Sequence, residues 1–587
     1  MDSGRAEKAK KSEGMKPEYL IILLISLFLF AGCTGKDDPE EPELPEGWIS
    51  LFELETRTDY YLPFAIVNDS TIVRKAFLNG REISLPSGSF LEFTETGFFE
   101  LVIIYNNTQK PNDTFLFTTK TMERENSEWG IRAWIPGPFE PVLLGSEETE
   151  IIYPRRFSGE TGLPFIFRIS ESGALKETYC EGKCLTTGES FNIKMGTGSV
   201  FIPSASLSGT VGFRIGGRSI SASLTEVREP DLELSGIIDS HVEIPANSVV
   251  RVTGSLEISE SGSLVVHEGV LMIIDEALDI NISGPVVFGG TAGNPVWLTS
   301  EGKDKYWGGF ITRNSEGTIR ADYTIFSLSG YHDSEGYNWG HSGRQALFYT
   351  ENSALELNHC FITDHRGQVF YPQNSTLVLD NILVQRVQTG GQINNSQLRL
   401  SNSVFTDFPD DSYAFADGDN DGLYLNASDA VIENTIFMFA KDDGLDSGMD
   451  EGGTVTVSNC RFEACFHEGA ALSSGGNAIK NHTFTECVFI NCGQGLELGF
   501  SSPNHTVTAD KCLFLYNGVG IRYGDNYEWS EVNGKMNIRN SFSLYNDRDV
   551  WNMVRKTWSP KLSNLTFENT RISTTSDQYP QLETYKE

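Results

Sequence analysis

What this chain can fold into is limited most by a repeat in its C-terminal half. A strand ending in an aromatic or aliphatic residue recurs at Phe361, Leu383, Phe405, Phe437, Phe462, Phe489 and Phe514, at steps of 22, 22, 32, 25, 27 and 25 residues. A second column, glycine followed by alternating side chains, runs through Gly422, Gly444, Gly469, Gly495 and Gly520. Two columns that keep nearly the same step mark a solenoid, whose units bury their apolar faces on one another. A step in the low to mid twenties fits one coil of three short strands, with coils stacked about 4.8 Å apart. Short apolar strands of the same kind begin earlier, at 248–252, 264–266, 271–274 and 295–298, each closed by a Gly, Ser or Asn turn. The expected fold class is all-β: a right-handed parallel β-helix over residues 234–575, preceded by one or two β-sandwich modules.

The repeat carries its own checks. Cys460, Cys487 and Cys512 occupy one place in successive coils, as do Cys465 and Cys492. Unpaired cysteine behaves in a core as a small hydrophobe, so these are expected as stacked inward thiols rather than disulfides. Asn352-Ser353, Asn374-Ser375 and Asn395-Ser396 recur at a turn, where their side chains can bond the backbone and one another. The 32-residue step holds an insertion, 408–419, and an earlier insertion, 329–343, is rich in aromatics. Both are expected to leave the solenoid as loops walling one side, the usual place for function on a rigid scaffold. Tyr331, Tyr337 and Trp339 in the earlier loop are either sugar-stacking platforms or loop packing.

Upstream, residues 47–230 alternate apolar and polar positions between turns such as Asn79-Gly80, with no long amphipathic helix. They are expected as two β-rich modules, 47–140 and 141–230, joined near the proline-containing stretch 134–141. No catalytic constellation appears in them, so they read as a spacer or a glycan-binding accessory. Cys180 and Cys184 form a C-x3-C pair there, where oxidation is possible.

The N-terminus reads as an export signal, residues 1–32, with the true start at Met15. Its apolar run, 19–30, is about twelve residues. That is short of the roughly twenty needed to span a bilayer and has the length of a signal-peptide core. Ala31-Gly32-Cys33 follows, and the segment resembles a bacterial lipoprotein signal, which implies lipidation of Cys33. The acidic, proline-bearing tether 33–46 begins Thr34-Gly35-Lys36-Asp37-Asp38 and resembles the surface-export tag of Bacteroidota lipoproteins. The implied location is the outer membrane, facing outward, with membrane contact through the lipid anchor only. A formal charge of −35 points away from nucleic acid and anionic membrane as partners. The chain is expected to be monomeric.

Chemistry concentrates on the glycine column. Before each glycine stand Asp421, Asp443, Glu468, Gln494 and Val519; two residues after it stand Tyr424, Asp446, Ala471, Glu497 and Arg522. Strand alternation places both sets on the outward side, where Asp419, Asp442 and His467 join them. Carboxylates this dense must protonate, pair with a base or bind a cation. Asp442, Asp443 and Asp446, with Asp419 or Asp421 one coil before, offer hard oxygen ligands suited to Ca²⁺.

These residues resemble the calcium-dependent family-nine pectate lyases, also β-helices, which carry an aspartate pair and a third aspartate at this spacing. The resemblance implies a lyase acting on a uronate-containing polysaccharide, with Ca²⁺ on Asp419, Asp442, Asp443 and Asp446. The family's lysine base falls at Ala471, so Arg522 or Lys480 would have to replace it. The same stretch resembles the polygalacturonase-like glycoside hydrolases: Asn420-Asp421-Gly422, Asp442-Asp443 and His467-Glu468-Gly469 follow that family's order, one group per coil. That resemblance implies inverting hydrolysis by Asp421, Asp442, Asp443 and His467. Only Arg522, two coils on, resembles its basic motif. A non-catalytic glycan-binding or structural solenoid stands beside both readings, because stacked aspartates can hold a structural ion. His359, His482 and His505 read as isolated structural histidines.

Overall fold

The structure, a computed structural model, describes the chain from Glu148 to Ile572, with breaks that include 332–337, 410–417, 449–452, 474–478, 525–531 and 553–563. Upstream it describes separate strands between Trp48 and Ile135. The export segment, the tether and Cys33 lie outside the described residues, as do Tyr337 and most of the 408–419 insertion.

Every described element of the C-terminal half is a strand, and apart from the antiparallel pair Asn338–Trp339 and Arg344–Glu351 the strands stack in parallel. Each coil contributes to three walls. The glycine wall includes Leu423–Asn426, Leu445–Ser447, Glu468–Leu472, Gln494–Leu498 and Val519–Tyr523. The phenylalanine wall includes Ile436–Ala440, Arg461–Glu463, Val488–Ile490 and Leu513–Leu515. The third wall is one ladder of thirteen strands, from His241–Ile244 to Leu565–Glu568. This is the parallel β-helix expected from the repeat. Its first strand, Leu232–Ile238, pairs in parallel with Val249–Ile258.

Like residues stack on like inside the solenoid. The rings of Phe405, Phe437, Phe462, Phe489 and Phe514 lie 5.2, 5.3, 4.7 and 4.9 Å apart, centroid to centroid. Each buried Phe contributes roughly 1.5–3 kcal/mol by leaving water, and each ring pair about 0.5–1.5 kcal/mol more. Cys460, Cys465, Cys487, Cys492 and Cys512 are buried free thiols in the same core. Val488 N–H donates to the Cys460 carbonyl and Leu513 N–H to that of Cys487, which fixes the thiols as coil neighbours. Cys184 is also a buried free thiol. At the turn, Asn352, Asn374 and Asn395 adopt φ of 52°, 49° and 43°. The serine after each donates to the next: Ser353 N–H bonds Ser375 Oγ (3.2 Å), and Ser375 N–H bonds Ser396 Oγ (3.0 Å).

The walls differ on their outer sides. Third-wall strands alternate buried and exposed, as in Asp429–Glu433. In the glycine-wall strands Glu468–Leu472, Gln494–Leu498 and Val519–Tyr523, every residue is buried. Over the early coils the phenylalanine wall is covered by an eight-stranded sheet built from 148–223. Phe157, Phe165, Phe167 and Phe213 of that segment share one apolar cluster with the outward Val249, Leu271, Trp297, Ile325, Phe361 and Leu383 of the solenoid. Arg156 fastens the joint through both oxygens of Asp231 (2.8 and 3.1 Å) and the Asn247 carbonyl (2.6 Å). The strands of 148–223 are therefore packed on the solenoid and share its apolar surface.

Candidate functional site

The glycine column lets neighbouring coils approach closely enough for side chains to bond between them. A Cβ at Gly422 would stand 2.3 Å from the Gly444 carbonyl oxygen, and one at Gly469 would stand 2.8 Å from that of Gly495. Pairing confirms the register read from the glycine column. Tyr424 pairs with Asp446, Asp446 with Ala471, Glu468 with Gln494, and Glu497 with Arg522.

The carboxyls ahead of the glycines form a ladder. Asp443 N–H donates to Asp421 Oδ1 (3.2 Å), and Glu468 N–H donates to Asp443 Oδ1 (2.8 Å). Glu468 Oε1 accepts from the Gln494 side-chain amide and from Arg522 Nη1 (3.1 Å). Arg522 Nη1 also donates to Gln494 Oε1 (2.9 Å) and lies 3.5 Å from Glu497 Oε2. Its Nε is held by the Gly524 carbonyl at 2.9 Å. His467 joins the other end. Its Nδ1 lies 2.5 Å from Glu468 Oε2, 3.2 Å from Asp442 Oδ1 and 3.6 Å from Asp443 Oδ1.

Sequence spacing placed Arg522 two coils beyond the histidine motif, about 10 Å along the axis. The structure nevertheless brings it to Glu468, because its long side chain runs back over Gln494. Glu468 and Glu497 were not singled out as functional from the sequence. Their signal was present, since both occupy the glycine-column positions that elsewhere hold Asp443 and Asp446. The stripe is outward yet enclosed: Asp421, Asp443, Glu468 and Arg522 are buried. Its least enclosed side chains are Asp442, Asp443 and His467, which keep 10%, 10% and 12% exposure, with the half-buried Asp419 and Asp446 nearby in sequence.

Burial sets the proton inventory. Burial first, then repulsion from Glu468 and Asp442, pushes the Asp443 carboxyl well above the usual carboxylate range. Burial and the neighbouring Glu497 do the same to Glu468. Burial alone would lower His467, but its bond to Asp442 and the charges of Asp443 and Asp442 outweigh that and raise it. The Tyr424 hydroxyl is raised by burial and by Asp446, Asp421 and Asp419.

Asp442, Asp443 and His467 present donor atoms within 4.8 Å of one another. That group differs from the oxygen set Asp419, Asp442, Asp443 and Asp446 expected for calcium. Ca²⁺ takes about six to eight oxygen ligands, and two carboxylates with an imidazole do not match it. Of the replacement bases for a lyase, Arg522 is bound to Glu468 and Gln494. Ala471 stands beside Asp446 in register. Lys480 is buried on the strand parity of His482, which pairs with the core residues Val455 and Val507, and its Nζ donates to the Gly448 carbonyl (2.9 Å). Of the three histidines read as isolated, His482 is buried on Ser447 Oγ (2.9 Å), His505 is buried, and His359 stacks on Tyr323 at 4.5 Å.

A family model described as a right-handed β-helix region matches residues 421–542. The match starts at the first aspartate of the ladder and runs past Arg522. A search of curated proteins finds no match to the chain.

Proposed function

We propose that this chain is a surface-tethered, polysaccharide-acting β-helix protein that cleaves glycosidic bonds by acid–base hydrolysis at Asp421, Asp442, Asp443 and His467. The observation that carries the reading is the position of His467 Nδ1 between Asp442, Asp443 and Glu468. Two side-chain cations, His467 and Arg522, thereby serve the charge-balancing role that a metal would otherwise fill. Asp443, pushed upward by burial and neighbouring charge, keeps a proton to give to the departing sugar oxygen. Asp442, bound to His467, and Asp421 one coil away orient the attacking water. A coil step of about 4.8 Å plus side-chain reach suits the roughly 6.5–9.5 Å that separates acid and base in inverting enzymes. The lipoprotein signal ending at Cys33 supports the location.

The calcium-dependent lyase is the second reading, favoured by the closeness of Asp442 and Asp443, whose donor atoms lie with that of His467 within 4.8 Å of one another. Digestion of a polysaccharide panel separates the readings. Reducing ends rising without unsaturated-uronate absorbance, unaffected by EDTA and lost in Asp443→Asn, is the expected result. Both signals rising, with calcium required, would establish the lyase. Retention on a glycan with neither signal would leave a binding module.

A further inference from the structure

The covering of the phenylalanine wall continues past the sheet that begins it. Outward positions run in register from Leu383 through Val404, Ile436, Arg461, Val488 and Leu513 to Phe542. The apolar cluster shared with 148–223 stops at Leu383, with Val404 packed against it. Over the later coils the outward side is nevertheless out of water. Met438, Val488, Ile490, Leu513, Leu515 and Leu544 are each no more than 2% exposed, although their parity turns them away from the stacked phenylalanines. Arg461 and Glu463, an ion pair on the same outward strip, are 0% and 1% exposed. Long charged side chains at an open sheet surface keep their heads in solvent, so this pair too lies under a cover.

We propose that the strands described between Trp48 and Ile135 form that cover, seated on the phenylalanine wall over the coils from Ile436 to Leu544. Three observations point to this occupant. The strip is continuous with the interface that 148–223 already makes, in the same register column. The upstream segment supplies strands with an apolar side of their own: Ala76, Leu101, Ile103 and Tyr105 are buried. It also precedes in sequence Glu148–Ile152, the edge strand of the covering sheet. On this reading both upstream segments brace one wall of the solenoid, the phenylalanine wall. Neither segment is then a freely swinging glycan-binding accessory.

The test keeps the full chain. A specific protease site is inserted between Gly137 and Pro138, the protein is cut, and the pieces are run on a sizing column at micromolar concentration. The upstream piece should co-elute with the solenoid. Leu513→Lys with Leu515→Lys should weaken its retention at least tenfold, while Val431→Lys on the third wall should leave it unchanged. Separate elution of the pieces from cut wild type would overturn the proposal, whether or not the lysine variant folds. So would a twofold molar mass of the uncut chain by light scattering, with protection of 488–515 from hydrogen exchange lost on dilution, because a second copy would then be the cover.

Discussion

Replacing Arg522 with leucine tests the ladder most directly. The guanidinium donates to Glu468 and Gln494 and stands 3.5 Å from Glu497, all nearly free of solvent. Removing one partner of a buried ion pair costs about 3–5 kcal/mol, because the charge left behind loses its partner. Glu468 is already held high by burial and Glu497, so the variant pushes the pair higher still. The sign follows from proton binding. A carboxyl raised on folding binds more protons folded than unfolded, so its contribution to stability falls as pH climbs through the folded value. Each further unit of rise is worth about 1.4 kcal/mol. The deficit of Arg522→Leu should therefore be largest near pH 8 and shrink by about 1–3 kcal/mol near pH 5, where the pair can hold a proton. Native-state hydrogen exchange at the amides of Gln494–Leu498 and Val519–Tyr523 reads this locally, without assuming that the whole chain melts in one step. Equal deficits at the two pH values, or a deficit under about 1 kcal/mol at pH 8, would refute the reasoning. Adding Glu468→Gln should recover part of the loss at pH 8.

Phe462→Ala, between rings at 5.3 and 4.7 Å, should cost about 3–5 kcal/mol by exchange at the neighbouring strands. Val431→Ala on the exposed side of the third wall should change stability by less than about 0.5 kcal/mol. Reducing agent should leave the melting temperature unchanged, since Cys460, Cys487 and Cys512 are free; a large fall, mapped by mass spectrometry to these residues, would contradict the register. Cys33→Ser should release the protein from membrane fractions or leave its precursor unprocessed, and unchanged processing would count against lipidation.

The solenoid was legible because its period is written in single residues. The glycine column and the phenylalanines from Phe405 onward give the coil length, and the cysteines give an independent phase that the pairing reproduces. Phe361 and Leu383, read into the same column, instead face outward, because Leu383 pairs with Val404 and it is Val384 that pairs with Phe405. Reading outward positions from that phase placed Asp446 beside Ala471 correctly. Side-chain reach was not legible. Spacing counts coils, whereas an extended arginine crosses two of them, so Arg522 was set too far from Glu468. Enclosure was missed for a related reason: alternation says which way a side chain leaves the strand, not what lies over it. That is also why the apolar cluster joining Phe157 to Leu271 and Trp297 could not be read from either segment alone.

The joints between coils also bear on how such a chain can change over generations. Phenylalanine meets phenylalanine along the core, and Asn459 bonds Asn434, which bonds Asn402, along a turn. Joints of like with like accept a copied or deleted coil without a new partner having to arise, so a lineage can lengthen or shorten this protein in whole steps. The ladder from Asp421 to Arg522 joins unlike residues across five successive coils. A duplication between Glu468 and Arg522 would separate the two, whereas one upstream of Asp421 would leave the ladder whole. Length variation among descendants of this gene should therefore gather before Asp421 and spare the stretch from there to Arg522.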